Sequence, residues 1–231
     1  MPKIKLKKNQ SPSTTELPLE KMSDITWRVF RIMAEFVEGF QFLSNSTKEV
    51  SVYGSARTLA TDPQYHEAEK LGRRLAREGY TVITGGGPGI MEAANKGAYY
   101  VDPQKSIGLN IQLPHEQRMN PYVHKGHGFY YFFTRKVMLA ASSQAYIFFP
   151  GGYGTLDEFS ELITLIQTHK MQATPIILVD SEYWKPLIDW FKGAMLDNGA
   201  IAKNDLKLFH VVDTADEVMT YVRKSKERSF F

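Results

Sequence analysis

The chain has 231 residues, of which 43 % are hydrophobic and 23 % charged, so its composition excludes disordered, collagen-like and coiled-coil classes. Its net charge of +3 is concentrated in the lysine-rich first eight residues, so no nucleic-acid partner is expected. The absence of cysteine excludes disulfides, thiolate metal sites and a cysteine nucleophile. We expect a cytoplasmic protein with no membrane partner, because no apolar run approaches the roughly 20 residues that span a bilayer.

The N-terminal segment changes character near residue 17. Residues 1–16 mix Lys, Ser, Thr and Pro without apolar periodicity, which predicts a flexible basic tail. Over residues 18–43, apolar side chains recur every three or four positions, which predicts an amphipathic helix. This helix precedes the first strand, and we expect it to pack across the domain or against a partner subunit.

After this helix, short runs rich in β-branched and aromatic residues alternate with helical stretches. Strands are predicted at 49–53, 80–84, 105–111, 128–132, 145–149, 175–179 and 207–212. Helices are predicted at 63–78, 88–100, 133–143, 155–169, 182–197 and 214–226. The alternation predicts an α/β fold with a doubly wound, mainly parallel sheet and helices on both faces, forming a single Rossmann-like domain over residues 17–231. In such sheets, ligands bind beyond the carboxyl ends of the strands.

Three predicted strand-to-helix turns are rich in small residues. They are 54–57 (GSAR), 85–89 (GGGPG) and 150–155 (PGGYGT). Each can present free backbone N–H groups at a helix N-terminus, where an anion such as phosphate is favoured. A single turn of this kind is equally well explained by relief of backbone strain, but three turns at one edge of a sheet favour a phosphate site. The spacing matches neither a G-x-G-x-x-G dinucleotide turn nor a P-loop, which disfavours hydride transfer and NTPase activity.

The third turn is followed by an acidic residue whose role has two interpretations. Thr155 is predicted to be a helix N-cap, and Glu158 three residues later would then complete a capping box. Alternatively, Glu158 projects beside an apolar stripe of the same helix. A carboxylate held there, next to a phosphate-binding turn, can act on the sugar of a bound nucleotide.

The stretch 150–158 (PGGYGTLDE) resembles the P-G-G-x-G-T-x-x-E signature of the LOG family of cytokinin riboside 5′-monophosphate phosphoribohydrolases, and Arg135-Lys136 resembles the family's R-K pair. The similarity runs from about Val50 to Val222. It implies that Arg135 and Glu158 are the catalytic pair of a nucleotide-binding domain. No cofactor is expected, and no metal site is expected because His124 and His127 have no carboxylate or cysteine companions. The residues that the resemblance implies for substrate binding are Gly54, Ser55, Gly85, Gly86, Gly87, Lys136, Gly151, Gly152, Gly154 and Thr155.

The resemblance implies hydrolysis of the N-glycosidic bond of a purine nucleoside 5′-monophosphate, either AMP or a cytokinin riboside monophosphate, with release of the free base and ribose 5-phosphate. The residues suit this chemistry, because a carboxylate at Glu158 can stabilise an oxocarbenium-like transition state and Arg135 can orient it. The general acid stays open. Proteins of this family are often labelled lysine decarboxylases, but His169-Lys170 ends a predicted helix and has no acidic partner to support pyridoxal phosphate chemistry.

The chain departs from the short plant-type members just before the arginine pair. Those members carry Met-His two residues before it, whereas Phe132, Phe133 and Thr134 occupy this stretch. Together with the N-terminal extension, this resembles the longer bacterial branch, for which AMP is the expected substrate and the base pocket is expected to differ. Phe132 and Phe133 are predicted to lie at a buried strand end, which favours a functional Arg135 over a surface one.

Two further expectations concern function and assembly. A non-catalytic nucleotide or cofactor carrier, similar to the molybdenum cofactor carriers, would keep the glycine turns, but the joint presence of Arg135 and Glu158 favours the enzyme. The helix at 18–43 and the aromatic-rich helix at 182–197 offer more apolar surface than one sheet needs. A homodimer or higher homo-oligomer is therefore expected.

Overall fold

The computed structural model describes residues 19–44, 46–112 and 119–227, so the predicted tail at 1–16 lies outside the described residues. Within them, seven strands form one parallel sheet in the order β4-β3-β2-β1-β5-β6-β7. The strands are β1 (Glu49–Tyr53), β2 (Thr81–Thr84), β3 (Ser106–Ile111), β4 (Lys125–Phe129), β5 (Ala145–Phe148), β6 (Ile176–Val179) and β7 (His210–Val212). The predicted doubly wound sheet is confirmed, and the strand order reverses between β1 and β5.

Helices connect these strands. They are α1 (Leu19–Leu43), α2 (Pro63–Arg77), α3 (Ile90–Tyr99), α4 (Phe132–Ser142), α5 (Tyr153–Gln167), α6 (Ser181–Trp190) and α7 (Ala215–Val222), with a π-helical turn after α6 (Phe191–Leu196) and short 3₁₀ turns at Pro103–Lys105 and Lys203–Lys207. Local sequence explains several starts: Asp62 caps α2 ahead of a proline, and Thr214 with Glu217 forms a capping box on α7. No helix in the described part of the chain is long and apolar enough to span a bilayer.

The five central strands of the sheet are buried on both faces, as is typical of a parallel sheet, whereas the edge strands β4 and β7 are partly exposed. Side chains alternate along each strand, so Val52 of β1 and Ile147 of β5 pack on one face against α2, α3 and α7. Tyr53 and Phe148, their neighbours in sequence, pack on the other face with residues of α1, α4, α5 and α6. The helices of both layers therefore pack against the same central strands, and the glycine turns follow the carboxyl ends of these strands.

The strand prediction at 128–132 was wrong by three residues. β4 pairs instead from Lys125 to Phe129 along β3, and its two glycines and one histidine carry little strand propensity of their own. The following residues begin α4, so Phe132 and Phe133 lie in its first turn and are 56 % and 48 % exposed. The prediction that these two rings mark a buried strand end was therefore also wrong.

The C-terminal part differs from expectation in smaller ways. Residues 207–209, predicted to begin the last strand, precede β7, because the 3₁₀ turn Lys203–Lys207 occupies part of this stretch. Of the aromatic residues in the predicted helix 182–197, Trp184 is buried in the core, whereas Tyr183 and Trp190 are about half exposed. Only part of that aromatic surface is therefore available for association.

α2 and α3 touch backbone to backbone at two glycines. A Cβ at Gly72 would lie 2.1 Å from the carbonyl oxygen of Ala94, and a Cβ at Gly97 would lie 2.0 Å from that of Glu69. No side chain fits in either contact, so this close approach fixes the position of α3. Since the turn at 85–89 leads directly into α3, the contact also holds that turn in place.

We expect Gly72→Ala to lower the free energy of unfolding by about 2 to 3 kcal/mol, because the added methyl group meets rigid backbone. Urea denaturation monitored by circular dichroism measures the change. Gly193→Ala is the matched control, since nothing lies within 4 Å of a Cβ there, and it should leave stability unchanged or raise it by about 0.5 kcal/mol. Equal effects of the two substitutions would contradict the close packing.

Candidate active site

The candidate site lies where the strand order reverses, at the carboxyl ends of β1 and β5. Connections leave these neighbouring strands toward opposite faces of the sheet, which opens a crevice between them. The turn after β1 and the turn after β5 are joined by backbone hydrogen bonds, from Ser55 N to Pro150 O at 2.9 Å and from Phe149 N to Tyr53 O at 3.0 Å. The first and third glycine turns therefore form one unit.

The second glycine turn docks on the first. The backbone N–H of Ile90 donates to the carbonyl of Ser55 at 3.0 Å. Gly89 has a φ of +69°, and a Cβ there would lie 2.3 Å from the same carbonyl oxygen, so only glycine fits. The structure thus brings together the three turns that the sequence singled out.

These turns enclose a cavity of about 500 Å³. Eight of the predicted site residues line it, namely Gly54, Ser55, Gly85, Arg135, Gly152, Gly154, Thr155 and Glu158. The remaining wall residues, which the sequence analysis did not assign to the site, are Tyr53, Ala56, Arg57, Met91, Ile111, Phe132 and Tyr153. A cavity of this size and mixed polarity falls in the range of small-molecule sites.

Four predicted binding residues do not line the cavity. The carbonyl groups of Gly86 and Gly87 accept hydrogen bonds from Asn120, at 2.8 Å from its backbone N–H and 3.0 Å from its side-chain amide. Gly151 lies under the side chain of Thr155, and its carbonyl accepts a hydrogen bond from the Tyr183 hydroxyl. These three glycines therefore shape the turns rather than face the cavity.

Lys136, the fourth, is held outside by two carboxylates. Its Nζ atom lies 2.7 Å from Asp157 and 3.4 Å from Glu161, both on α5. The lysine therefore links α4 to α5 one residue away from Arg135.

The start of α5 corrects one prediction. The helix begins at Tyr153 with Gly152 as its N-cap, two residues before the predicted start, so Thr155 is not the N-cap and the capping-box interpretation of Glu158 is wrong. Helix geometry leaves the first N–H groups of α5 without intrahelical partners. Nothing lies within 4 Å of a Cβ built at Gly152 or Gly154, so there is open space beside this turn where it lines the cavity. This helix N-terminus can hold a phosphate.

A buried ion pair closes one side of the cavity. Nη2 of Arg135 donates to Oε1 of Glu158 at 2.5 Å, and the two side chains are 14 % and 13 % exposed. Desolvation raises the pKa of Glu158 to about 7, although the charge of Arg135 opposes the rise. The Nε–H group of Arg135 is buried and has no hydrogen-bond partner among the described residues. It is therefore a spare donor beside the carboxylate.

Two residues that were not among the predicted site residues add polar groups to the wall, although Arg57 belongs to the predicted turn at 54–57. Tyr53 ends β1 with its ring stacked on Phe148, and burial, reinforced by the negative charge of Glu158, raises the pKa of its phenol so that the hydroxyl stays neutral. Arg57 contributes an exposed guanidinium, and its backbone N–H donates to Ser55 Oγ at 3.0 Å. Both lie within three residues of Gly54, and this proximity was the available signal.

Residues 91–222 match the family model described as "Possible lysine decarboxylase". The chain is also 30 % identical over 184 residues to the cytokinin riboside 5′-monophosphate phosphoribohydrolase LOG of Oryza sativa, covering 74 % of this chain and 71 % of that protein. The chain belongs to the LOG family. Another relative, the pyrimidine/purine nucleotide 5′-monophosphate nucleosidase of Escherichia coli K12, is 26 % identical over 192 residues, which cover 70 % of this chain and 37 % of that longer protein.

Among solved structures, the molybdenum cofactor binding protein of Rippkaea orientalis has a similar fold. It superposes with a TM-score of 0.55 at 19 % sequence identity, over 76 % of this chain and 93 % of that one. At this identity the likeness concerns the fold alone. The LOG family fold thus also occurs in a protein named for binding a cofactor.

Glu158 makes stability depend on pH in a way that can be measured. Because its pKa is about 7 when folded against an ordinary 4.5, the folded protein holds a proton that the unfolded chain has released between these values, and stability falls as pH rises. Glu158→Gln removes this effect. We expect the free energy of unfolding of the variant, relative to wild type, to rise by about 3 kcal/mol from about pH 4 to about pH 8.

Urea unfolding of both proteins across this pH range measures the difference. Any constant cost of leaving Arg135 without its partner cancels, because only the slope is compared. A difference that does not change with pH would show that Glu158 is not held in a desolvating environment.

Proposed function

We propose that this protein hydrolyses the N-glycosidic bond of a nucleoside 5′-monophosphate, with AMP as a substrate, and releases the free base and ribose 5-phosphate. The observation that carries the proposal is the buried Arg135–Glu158 pair, which opens on the same cavity as the glycine turns. A phosphate site and an acid–base group in one cavity suit a phosphorylated sugar better than either a free nucleoside or a simple anion. The names of the LOG family relatives support the same reaction class.

Phosphate binding is assigned to the turn at the start of α5. Gly152, Gly154 and Thr155 contribute backbone at its open N-terminus, where the helix dipole favours negative charge. The guanidinium of Arg57 adds a full positive charge to the opposite turn. A 5′-phosphate held between them would direct the ribose toward Glu158.

In the proposed mechanism, Glu158 acts on the ribose in its ionised form. Departure of the base leaves positive charge on the sugar, and a carboxylate stabilises it while activating water or attacking the anomeric carbon itself. A pKa of about 7 suits this role, because the carboxylate can exchange a proton at neutral pH. The charge of Arg135 opposes the rise in the Glu158 pKa that desolvation causes, and its hydrogen bond keeps the carboxylate oriented.

The base is assigned to the apolar part of the cavity. Met91, Ile111, Phe132 and Tyr153 offer a surface on which a planar purine can pack. Phe132 also lies with its ring 5.7 Å from the guanidinium carbon of Arg135. Preference for a purine, and for AMP over a prenylated adenine nucleotide, is part of the proposal.

We further propose that the protein works as a homodimer or larger assembly in the cytoplasm. The support lies on α1, where Trp27, Phe30, Met33 and Val37 are each more than half exposed. Apolar side chains at this spacing form a continuous stripe along the helix. A second subunit would remove that stripe from water.

Glu158→Gln should lower kcat for base release from AMP on the order of a thousandfold, or ~4 kcal/mol of transition-state stabilisation, with little change in KM. Glutamine keeps the shape of the side chain and removes the charge. Chromatography of released adenine measures the rate. The control is Asp157→Asn, which neutralises the neighbouring exposed carboxylate and should leave kcat within about threefold of wild type.

If folded Glu158→Gln protein released adenine at nearly the wild-type rate, the proposed mechanism would be wrong. If wild-type protein bound AMP but released no base, the carrier interpretation would replace the enzyme.

Removing the phosphate from the substrate should cost more than changing the base. We expect kcat/KM for adenosine to be at least about a hundredfold below that for AMP, because the N-terminus of α5 then has no anion to hold. GMP and CMP, which keep the phosphate, are the comparison substrates and should lose less. Equal turnover of adenosine and AMP would contradict the proposal that the protein recognises the 5′-phosphate.

A further inference from the structure

A carboxylate from α1 lies at the beginning of the helix that carries Arg135. Glu35 is only 8 % exposed, because it lies on the inward face of α1, one turn before the buried Gly39. Its Oε1 accepts a hydrogen bond from Tyr130 N at 2.7 Å, and its Oε2 accepts from Tyr131 N at 3.3 Å and from Thr134 Oγ1 at 2.6 Å. Three donors at the start of α4 thus converge on one side chain that is nearly a hundred residues away in sequence.

The beginning of α4 has no local substitute for this carboxylate. Its N-cap is Tyr131, which offers no side-chain hydrogen bond to the helix. In an ordinary capping box, a Glu at the third helical position reaches back to the N-cap N–H group. Here that position is Thr134, and Glu35 accepts from the N-cap N–H group instead, with the threonine hydroxyl holding the carboxylate. The negative charge also lies where the helix dipole favours it.

We propose that Glu35 is a positioning residue for the reaction: by capping α4 from another helix, it fixes the first turn of α4 and directs Arg135 at Glu158. The proposal rests on the proposed function of the Arg135–Glu158 pair. Arg135 follows Thr134 directly, and its own backbone N–H reaches Tyr131 O only at 3.3 Å. The Thr134 hydroxyl also lies 2.7 Å from Tyr131 O, so the first turn is held by Glu35 together with this local contact. α1 lies outside the part of the chain that matches the family model, so it adds to the site from beyond the shared motif.

Glu35 could alternatively serve only to attach α1 to the body of the protein. The two roles have different consequences for the pKa of Glu158. The charged or titratable groups around Glu158 are Arg135 and Lys136 from α4, Asp157 and Glu161 from its own helix, and the Tyr53 phenol from β1. Both cations follow the turn that Glu35 caps. If this turn loosens, Arg135 holds the carboxylate less firmly and the pKa of Glu158 rises. A simple anchor would alter stability and leave that pKa unchanged.

The test compares Glu35→Gln with Glu38→Gln, which removes an exposed carboxylate one turn further along α1. Melting temperature, kcat and KM for AMP are measured, and Glu158 is titrated by carboxyl ¹³C NMR with its signal assigned from Glu158→Gln. We expect Glu35→Gln to lower kcat about tenfold with KM within about twofold, since small displacements of a catalytic group reduce turnover steeply. The pKa of Glu158 should rise in Glu35→Gln, whereas Glu38→Gln should match wild type in every measurement.

A lower melting temperature with unchanged kcat and unchanged Glu158 titration would overturn the proposal and leave Glu35 as an anchor. If Glu35→Gln does not fold, Glu35→Asp replaces it, because it keeps the negative charge but shortens the side chain that reaches the three donors. It should lower kcat about threefold and raise the pKa of Glu158, and wild-type values of both would likewise overturn the proposal. Absence of base release by wild-type protein would reject the proposed function instead, and the Glu158 titration would still decide whether Glu35 positions Arg135.

Discussion

The pairing of β1 with β5 is the contact on which the rest of the site depends. These strands are far apart in sequence, but their parallel register brings Tyr53 beside Phe148 and joins the turns that follow. The chain leaves the two strands toward opposite faces of the sheet, so a crevice opens between them. The second glycine turn, at 85–89, is joined to Ser55 by the hydrogen bond from Ile90 N, and the N-terminus of α5 borders the same cavity. Sheet topology thus collects three separate loops into one cavity.

Burial of Arg135 and Glu158 beside this cavity is not favourable for folding in itself. Removing two charges from water costs more than their attraction returns unless hydrogen bonds satisfy both groups, and here Nε of Arg135 lacks a partner among the described residues. The raised pKa of Glu158 reflects the same imbalance, since desolvation outweighs the neighbouring cation. A carboxylate kept in an unfavourable state at neutral pH is typical of a group that reacts.

The two members of the pair stand on different helices, and each helix is held by a different part of the fold. Glu158 lies on α5, whose start is set by the glycine turn after β5. Arg135 lies on α4, whose start is held by Glu35 of α1. The N-terminal helix is therefore integrated with the site, while its outward stripe of apolar side chains remains exposed in the single chain. One helix thus links the geometry of the site to a surface suited to association.

How far the sequence alone determined this protein varies from element to element. The α/β class and the three glycine turns followed from local runs of β-branched residues and from the small residues that end them, whereas the pairing of Arg135 with Glu158 was implied by the resemblance to the LOG family signature. Strands such as β1 and β5 were predicted nearly to the residue, because they are short runs rich in β-branched or aromatic residues that end at glycine or proline. The N-terminal helix at 19–43 was equally visible from its periodicity.

Tertiary structure alone decided the rest. β4 forms because its residues pair with β3, and the glycine-rich segment has little strand propensity from which this pairing could have been predicted. α5 begins two residues before the predicted start, with Gly152 as its N-cap, and the side chain of Thr155 lies against Gly151. Tyr53 lines the cavity, whereas Lys136 forms an ion pair with Asp157 and does not line the cavity. Both placements depend on neighbours from other elements of the fold. A partner distant in sequence, as Glu35 is for α4, leaves no local pattern, because hydrogen bonds and burial depend on proximity in space.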